Sequence, residues 1–316
     1  EYTQEAMRAG ARALLTKPID PKDLTDLVTD LDSLRQRRES PAYADYKDPT
    51  RYPKLISVTG AKGGVGKTTI AVNLAVALAK RFPNKVALID MYTEFGDAST
   101  MLSLQPKSSI IDLVPVCEEL DTEMLQNYIT KHPSGIYLLA ATIEPAPIDS
   151  LTPRCMDNLL YVLKRMCRFI VVDAPPIVHD ATLHVLSNSN MVLIVANLFD
   201  ITAATQNKRY YDVLLSEHVS KENIRVVLNR VSRVNTLHPA DVEQMFDCGI
   251  IAHIPNDSRL VTAVNTGIPP LMTDGDSPFG KGVSQLAATI AGTVEATVEP
   301  ASNSLVKRMF GGAKER

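Results

Sequence analysis

The chain has 316 residues, of which 45% are hydrophobic and 22% charged, with a net charge of −3. This composition excludes wholesale disorder and argues against a protein that coats nucleic acid through bulk positive charge. Four scattered cysteines and the lack of any apolar run of roughly 18 residues disfavour disulfide scaffolds, metal-cluster carriers and membrane-spanning chains. We therefore expect a cytoplasmic protein and, because the sequence begins at Glu1, the later part of a longer chain.

Residues 1–34 are predicted to form a helix, a short strand and a second helix. The second helix begins near Asp20 and continues through leucine and valine side chains spaced by three and four positions. So short a stretch cannot bury a core of its own, and it must belong to a larger unit. It resembles the end of a CheY-like receiver domain, whose last strand carries a Lys-Pro pair such as Lys17-Pro18. A generic strand–helix unit is the alternative.

Residues 35–53 are predicted to be a polar linker, and residues 54–298 a domain in which strands alternate with helices. Strands are predicted at Leu55–Thr59, Val86–Ile89, Ile136–Ala140, Phe169–Val172, Met191–Ala196, Ile224–Leu228 and Ile250–Ile254. Amphipathic helices are predicted at Thr68–Lys80, Pro153–Met166 and Ala203–Glu217. Because the strands are nearly continuous apolar runs, we predict an α/β fold with a mostly parallel, doubly wound sheet.

A glycine-rich sequence, SVTGAKGGVGKTT at residues 57–69, lies between the first strand and the first helix of this domain. It contains the G-x-x-x-x-G-K-T pattern of a P-loop, in which backbone N–H groups and the helix N-terminus face a phosphate. Lys67 is placed to reach the β and γ phosphates, and the Thr68 hydroxyl to ligate Mg²⁺. The loop residues assigned to nucleotide binding are Gly63, Gly64, Val65, Gly66, Lys67, Thr68 and Thr69.

A second lysine, Lys62, precedes the glycines of this loop. The stretch KGGVGKTT resembles the deviant Walker A box of the MinD/ParA family of ATPases, in which the early lysine crosses a face-to-face dimer to the partner's nucleotide. The resemblance implies a homodimer that encloses ATP and Mg²⁺. It also implies that Lys62 and Lys67 both act in catalysis, Lys62 in the manner of an arginine finger.

Two aspartates follow predicted strands of the main domain: Asp90 follows the second strand, and Asp173 follows the strand FIVV. The carboxyl ends of parallel strands form the crevice of an open α/β sheet, so both carboxylates are expected near the P-loop. By resemblance, Asp90 is the family's first acidic position, with a part in catalysis, and Asp173 ends the Walker B strand beside the nucleotide. The predicted metal ligands are Thr68, Asp90 and Asp173, and helix capping is the alternative role for the aspartates.

The resemblance also assigns residues around the base. Asn229 and Arg230 match an Asn-Arg pair whose asparagine contacts the adenine edge. Pro255, within the sequence HIPND, matches the loop that covers the base. Considered without the resemblance, an asparagine at the end of a strand is an ordinary turn former.

One position departs from the family pattern. Many members carry D-x-D after the second strand and use the second aspartate to position the attacking water, whereas this chain has Tyr92 there. Tyrosine, with a pKa of about 10, is a poor base at neutral pH, and Asp97, in the sequence FGD, is the candidate carboxylate to act in its place. We therefore expect slow ATP hydrolysis, with an ATP-locked scaffold that does not turn over as the alternative.

Two segments, LIDMYTEFGDASTMLSL and LLAATIEPAPIDSLT, are similar to the TadZ/CpaE group, which places Flp/Tad pili. That group also carries an N-terminal receiver-like domain. The resemblance therefore implies a localisation switch for pilus assembly, with pilus-assembly proteins as partners and no specific nucleic acid. A MinD-like regulator of division-site or flagellar placement is the alternative.

Residues 299–316 are predicted to be a tail that carries a candidate membrane contact. Within residues 304–316, four apolar side chains form one stripe of a short helix beside two cations, the arrangement of an interfacial helix. The segment resembles the membrane-targeting tail of MinD and implies peripheral attachment to the inner membrane, at a cell pole in the pilus hypothesis. Docking on the protein's own surface and a frayed terminus are the alternatives.

Overall fold

The computed structural model describes residues 17–22, 24–25, 28, 54–142, 145–147, 150–176, 179–197, 201–232, 239–273 and 275–292. The chain divides into two compact units, Glu1–Tyr52 and Pro53–Arg316. In the first unit, Asp20 accepts a hydrogen bond from the Lys22 amide at 2.8 Å, and the described residues that follow are helical, as predicted. The rest of the receiver-like segment, the linker and residues 304–316 lie outside the described residues, and their assignments stay predictions.

The second unit contains one sheet of eight strands in the order β3-β4-β2-β5-β1-β6-β7-β8. The strands are β1 Lys54–Thr59, β2 Val86–Asp90, β3 Thr130–Lys131, β4 Ile136–Leu139, β5 Phe169–Asp173, β6 Met191–Asn197, β7 Ile224–Val231 and β8 Ile250–Pro255. Neighbouring strands are parallel except β3 and β4, which are antiparallel. The predicted α/β fold and its seven strands are confirmed, and the two-residue edge strand β3 is the addition.

Helices connect the strands and cover the sheet. They are α1 Lys67–Arg81, α2 Ala98–Met101, α3 Thr122–Leu125, α4 Pro153–Met166, α5 Asp180–Ser187, α6 Ile201–Ser216, α7 Pro239–Met245, α8 Arg259–Thr266, α9 Pro270–Thr273 and α10 Pro278–Ala291. Their ends follow local rules: Thr152 accepts a hydrogen bond from the Cys155 amide at the start of α4, with a proline at its first turn. In the described part of the chain, no helix combines the length and apolar character needed to cross a bilayer.

The core lies on both faces of the sheet. One layer joins Leu55 and Ile170 to apolar side chains of α4, α5 and α6. The other joins Ile56 and Val171 to α1 and α10. Because alternate residues of β1 and β5 point to opposite faces and both faces are covered by helices, most residues of these strands are apolar on both faces, as expected for parallel sheets between helices.

The strand order creates a crevice beside the carboxyl end of β1. The strand β1 lies between β5 and β6, and the chain runs from β1 through α1 to β2 on one side of it and from β5 through α5 to β6 on the other. A crevice forms outside the carboxyl ends of the strands at such a reversal, and ligands of open α/β sheets bind there. The glycine-rich loop between β1 and α1 occupies this position.

Candidate nucleotide-binding site

The P-loop, residues 60–68, has the backbone of an anion cradle. Gly64 and Gly66 adopt φ values of 73° and 98°, which side-chain-bearing residues rarely adopt. Space for a Cβ at Gly63 and Gly64 is open, with no atom within 4 Å. Helix α1 begins directly after Gly66, which supplies no side-chain cap, so the first amides of the helix face the loop opening.

Lys67 lies inside this loop. Its side chain is buried, and its Nζ donates a hydrogen bond to the carbonyl of Lys62 at 3.0 Å. Burial lowers the pKa of Lys67, and the carboxylate of Asp173 opposes this by favouring the ammonium. The loop thus holds a buried positive charge between its own backbone and an acidic strand end.

Asn229 fastens the second half of the loop to β7. Its Nδ2 donates to the Val65 carbonyl at 2.8 Å, whereas its buried Oδ1 has no partner among the described residues. A Cβ on Gly66 would lie 2.4 Å from the same Nδ2, so glycine is required there on steric grounds as well. The structure therefore places Asn229 against the loop, and its contact with adenine stays a prediction.

Two further residues assigned to the base lie near this strand end. Arg230 is exposed with a φ of 56°, at a register shift between β7 and β8. Pro255 ends β8, and the next amide, that of Asn256, donates to the Val231 carbonyl at 2.9 Å. Both lie on the carboxyl side of the sheet, and their contact with the base stays a prediction.

Asp90 and Asp173 lie side by side, because the carboxyl ends of β2 and β5 pair in register. The Asp90 carboxylate accepts hydrogen bonds from the amides of Tyr92 and Ala98, both at 3.2 Å. Burial raises the pKa of Asp90, and these two amides oppose the shift. A Cβ on Gly96 would lie 2.5 Å from Asp90, so the chain passes directly over this carboxylate.

The surroundings of Asp173 destabilise its ionised form more than those of Asp90 do. Asp173 is fully buried, and no hydrogen bond of normal geometry reaches either oxygen from the described residues. Burial and repulsion from Asp90 raise the pKa of Asp173, and the nearby Thr68 hydroxyl and Lys67 ammonium only partly offset the rise. Buried carboxylates without partners are rare, and they are typical of functional sites.

The arrangement suits a metal that arrives with its substrate. Across the described ranges, no group of three or more His, Cys, Asp or Glu side chains is placed to hold a metal ion. Mg²⁺ commonly uses one or two carboxylates and completes its shell with substrate phosphates and water. The predicted set of Thr68, Asp90 and Asp173 fits that pattern, because the hydroxyl and the unpartnered Asp173 carboxylate adjoin the phosphate cradle.

Tyr92 occupies a half-buried position beside the aspartates. Burial, followed by the negative charges of Asp173 and Asp90, raises the pKa of Tyr92 far above its ordinary value, so the phenol stays protonated. Asp97 is exposed at the start of α2 and makes no side-chain cap. The structure therefore strengthens the expectation that Tyr92 is no base.

The sequence did not single out two polar residues of α6 that contact the loop. Asn207 accepts a hydrogen bond from the Ala61 amide at 2.9 Å, and the Tyr210 hydroxyl lies 3.0 Å from Thr59 Oγ1. Both side chains are buried on the face of α6 that packs against the sheet. Polar residues within an otherwise apolar helix stripe were the available signal, since buried polar groups require partners.

A glycine-rich loop that leads from an inner parallel strand into a helix, with paired aspartates on the neighbouring strand ends, defines a P-loop nucleotide-binding protein. A family model described as an AAA domain matches residues 53–231. The septum site-determining protein MinD of Thermotoga maritima is 30% identical over 245 residues, which are 75% of this chain and 88% of that protein. The chain belongs to the MinD/ParA family of P-loop ATPases.

Solved structures agree with this assignment. The cell division ATPase MinD of Pyrococcus furiosus aligns with a TM-score of 0.65 and 25% identity, over 77% of this chain and 100% of that one. The MinC:MinD cell division complex of Aquifex aeolicus aligns with a TM-score of 0.63 and 26% identity, over 76% of this chain and 96% of that one.

Proposed function

We propose that the protein is an ATP-dependent switch that forms a homodimer around two nucleotides and thereby marks a position in the cell. The observation that carries this proposal is the buried Asp173 carboxylate, which has no hydrogen-bond partner among the described residues and adjoins Lys67. Ionisable groups kept in such costly surroundings are typical of functional sites. Membership of an ATPase family supports ATP as the substrate.

In this proposal, each part of the site has a separate task. Lys67 and the loop amides bind the phosphates, while Thr68, Asp90 and Asp173 hold Mg²⁺, whose charge offsets that of the phosphates when it is bound. Thr69 extends the loop contacts, and Asn229, Arg230 and Pro255 line the base. Lys67 already lies in the cradle, so phosphate binding requires exchange of its bond to the Lys62 carbonyl for bonds to phosphate oxygens.

In the proposed dimer, Lys62 makes the contact with the nucleotide of the second copy. Its side chain is half-buried beside the loop opening, on the same exposed edge as Gly63 and Gly64. From there it can extend towards the nucleotide of a second copy and stabilise charge on the transferred phosphoryl group. The relative from Aquifex aeolicus is described in complex with MinC, which supports the idea that the dimer presents a surface to a partner protein.

Sedimentation provides the test of this switch. With Mg²⁺-ATP the protein should sediment as a dimer and with Mg²⁺-ADP as a monomer, because only the triphosphate reaches the partner's lysine. Lys62→Ala should stay monomeric with both nucleotides and still bind each of them. A parent protein that is monomeric at high concentration with Mg²⁺-ATP would refute the proposed function.

For the finer role, we propose placement of Flp/Tad-type pili, with pilus-assembly proteins as the partners. The FGD segment around Gly96 and the receiver-like residues 1–34 support this role. MinD-like placement of the division site is the second candidate, favoured by the similarity to MinD of Thermotoga maritima. Disruption of the gene in its source organism separates them, because loss of pili with normal septa fits the first and misplaced septa fit the second.

Location follows from the same proposal. We assign the protein to the cytoplasm and to the inner membrane surface, through residues 304–316, which lie outside the described residues. One short amphipathic helix binds a bilayer weakly, and two in a dimer bind more firmly, so attachment would depend on nucleotide.

Turnover should be slow because of Tyr92. Tyr92→Asp restores a carboxylate at the position where a base is needed, so we expect phosphate release to rise about tenfold or more. The measurement is steady-state phosphate release with Mg²⁺-ATP at high protein concentration. Tyr92→Phe, which removes the hydroxyl and adds no base, should stay as slow as the parent.

Because a third carboxylate beside Asp90 and Asp173 costs stability, thermal melting should accompany this comparison. A folded Tyr92→Asp protein with unchanged phosphate release would show that Tyr92 is not what limits turnover. Release detectable only in Tyr92→Asp would identify the parent as an ATP-locked scaffold, the alternative form of the switch.

A further inference from the structure

Two side chains of α6 reach the first residues of the P-loop. Asn207 and Tyr210 are three positions apart and therefore lie on one face of the helix. Tyr210 lies at hydrogen-bond distance from Thr59, the last residue of β1, and Asn207 binds the amide of Ala61. Helix α6 thus holds the chain on both sides of Gly60.

Asn207 bridges two backbone groups at the sheet edge. Its Oδ1 accepts from the Ala61 amide at 2.9 Å, and its Nδ2 lies 3.4 Å from the Val195 carbonyl of β6. A Cβ on Gly60 would lie 2.7 Å from the same Val195 carbonyl, so the chain runs against β6 at this point. The fully buried Asn207 amide fixes where the loop leaves the sheet.

The loop has separate anchors for its two halves. The second half, which carries the phosphate-binding glycines, is held by Asn229 at Val65 and continues into α1. The first half, at Ala61 and Lys62, is held by Asn207 and by the bond from Lys67 to the Lys62 carbonyl. The hydrogen bond between Asn207 and Ala61 does not involve Lys67, so it does not depend on where the Lys67 ammonium points.

We propose that Asn207 is the positioning residue for Lys62, which sets the direction from which this lysine crosses to the second copy. This inference rests on the proposed function, because it requires a nucleotide-dependent dimer. Its physical basis is that the Ala61 amide precedes Lys62 by one peptide unit, and Gly60 on the other side offers little resistance to rotation. Without the Asn207 acceptor, the backbone before Lys62 is free to rotate, so ordering it for dimer contact costs more entropy.

The experiment compares three variants. Asn207→Leu keeps the volume and removes both the acceptor and the donor that faces Val195, Asn207→Asp keeps the acceptor and removes only that donor, and Tyr210→Phe removes a buried hydroxyl from the same helix face without touching Ala61. Dimer dissociation constants with Mg²⁺-ATP come from sedimentation, and nucleotide affinity of the monomer from titration with Mg²⁺-ADP. Thermal melting reports folding.

We expect Asn207→Leu to weaken the dimer about tenfold or more, while ADP affinity changes less than about threefold. Asn207→Asp and Tyr210→Phe should dimerise within about threefold of the parent, even if they melt at lower temperature. Rescue by aspartate would not follow from a purely structural role, because a buried charge destabilises the fold.

The outcomes separate this inference from the proposed function. A parent that does not dimerise overturns both. If the parent and Asn207→Leu each dimerise with the same affinity, only the role of Asn207 is overturned. The same conclusion follows if Tyr210→Phe weakens the dimer as much as Asn207→Leu does, or if Asn207→Leu loses as much affinity for ADP as for the second copy.

If Asn207→Leu fails to fold, hydrogen exchange of the Ala61 amide in the parent tests whether Asn207 holds this part of the loop. With Asn207 as a firm anchor, this amide should exchange about 100-fold or more slowly than in an unstructured peptide. Exchange at the unstructured rate would overturn the proposal.

Discussion

Replacing Lys67 with alanine is expected to weaken nucleotide binding about 100-fold, which corresponds to about 2.7 kcal/mol. The reason is that the Lys67 ammonium already lies within the loop, where its hydrogen bond to a phosphate would be charge-assisted and shielded from water. Titration with Mg²⁺-ADP measures the affinity, and phosphate release should be lost together with it.

Lys80→Ala is the matched control for this prediction. Lys80 lies in the last turn of the same helix, α1, and its Nζ donates to the Leu271 carbonyl. Its removal should lower the melting temperature and leave nucleotide affinity unchanged. Equal losses of affinity in the two variants would show that α1 as a whole, and not the charge in the loop, determines binding.

Asp173→Asn is expected to stabilise the nucleotide-free protein at neutral pH and to abolish its response to Mg²⁺-nucleotide. Burial and the neighbouring Asp90 raise the pKa of Asp173 in the folded state. The folded protein therefore binds this proton more tightly than the unfolded chain, and the free energy of unfolding falls as pH rises through the interval between the two pKa values. Asparagine carries no charge at this position, so the part of the fall in the free energy of unfolding that comes from Asp173 should disappear.

Melting curves from about pH 5 to about pH 8 measure the effect. The parent should melt at lower temperature as pH rises, whereas Asp173→Asn should follow a flatter profile and melt several degrees higher at the upper end, for a gain of about 1–2 kcal/mol. Asp212→Asn, which removes an exposed carboxylate paired with Lys208, should follow the parent. Added Mg²⁺-ADP should stabilise the parent and not Asp173→Asn. Melting profiles that superimpose for the parent and Asp173→Asn would show that the charge of Asp173 does not destabilise the folded protein.

The fold and the central residues of the site were accessible from the sequence because their signals are local. The apolar runs at β1 and β5 predict buried parallel strands, and the order strand, glycine loop, Lys67 predicts a phosphate cradle without knowledge of any other part of the chain. The positions of Asp90 and Asp173 followed from a general rule, since both end strands and the strand ends share one edge.

Contacts between distant positions were not accessible in this way. Nothing near Asn207 in the sequence indicates that its amide meets Ala61, 146 positions earlier. Asn229 was assigned to the base by resemblance, yet its amide nitrogen holds Val65. The edge strand β3, with two residues, is too short to show an alternating pattern.

The positions of these two asparagines have a consequence for biosynthesis. Ala61 and Val65 leave the ribosome early, whereas Asn207 and Asn229 follow 146 and 164 residues later. At elongation rates of about 5–20 residues per second, the two asparagines are synthesised on the order of ten seconds after the loop residues that they hold. The strand β1 also lacks both of its neighbours, β5 and β6, during most of that interval. A nascent chain that ends before β7 should therefore be unable to retain nucleotide, so nucleotide binding begins only after nearly the whole sheet has been made.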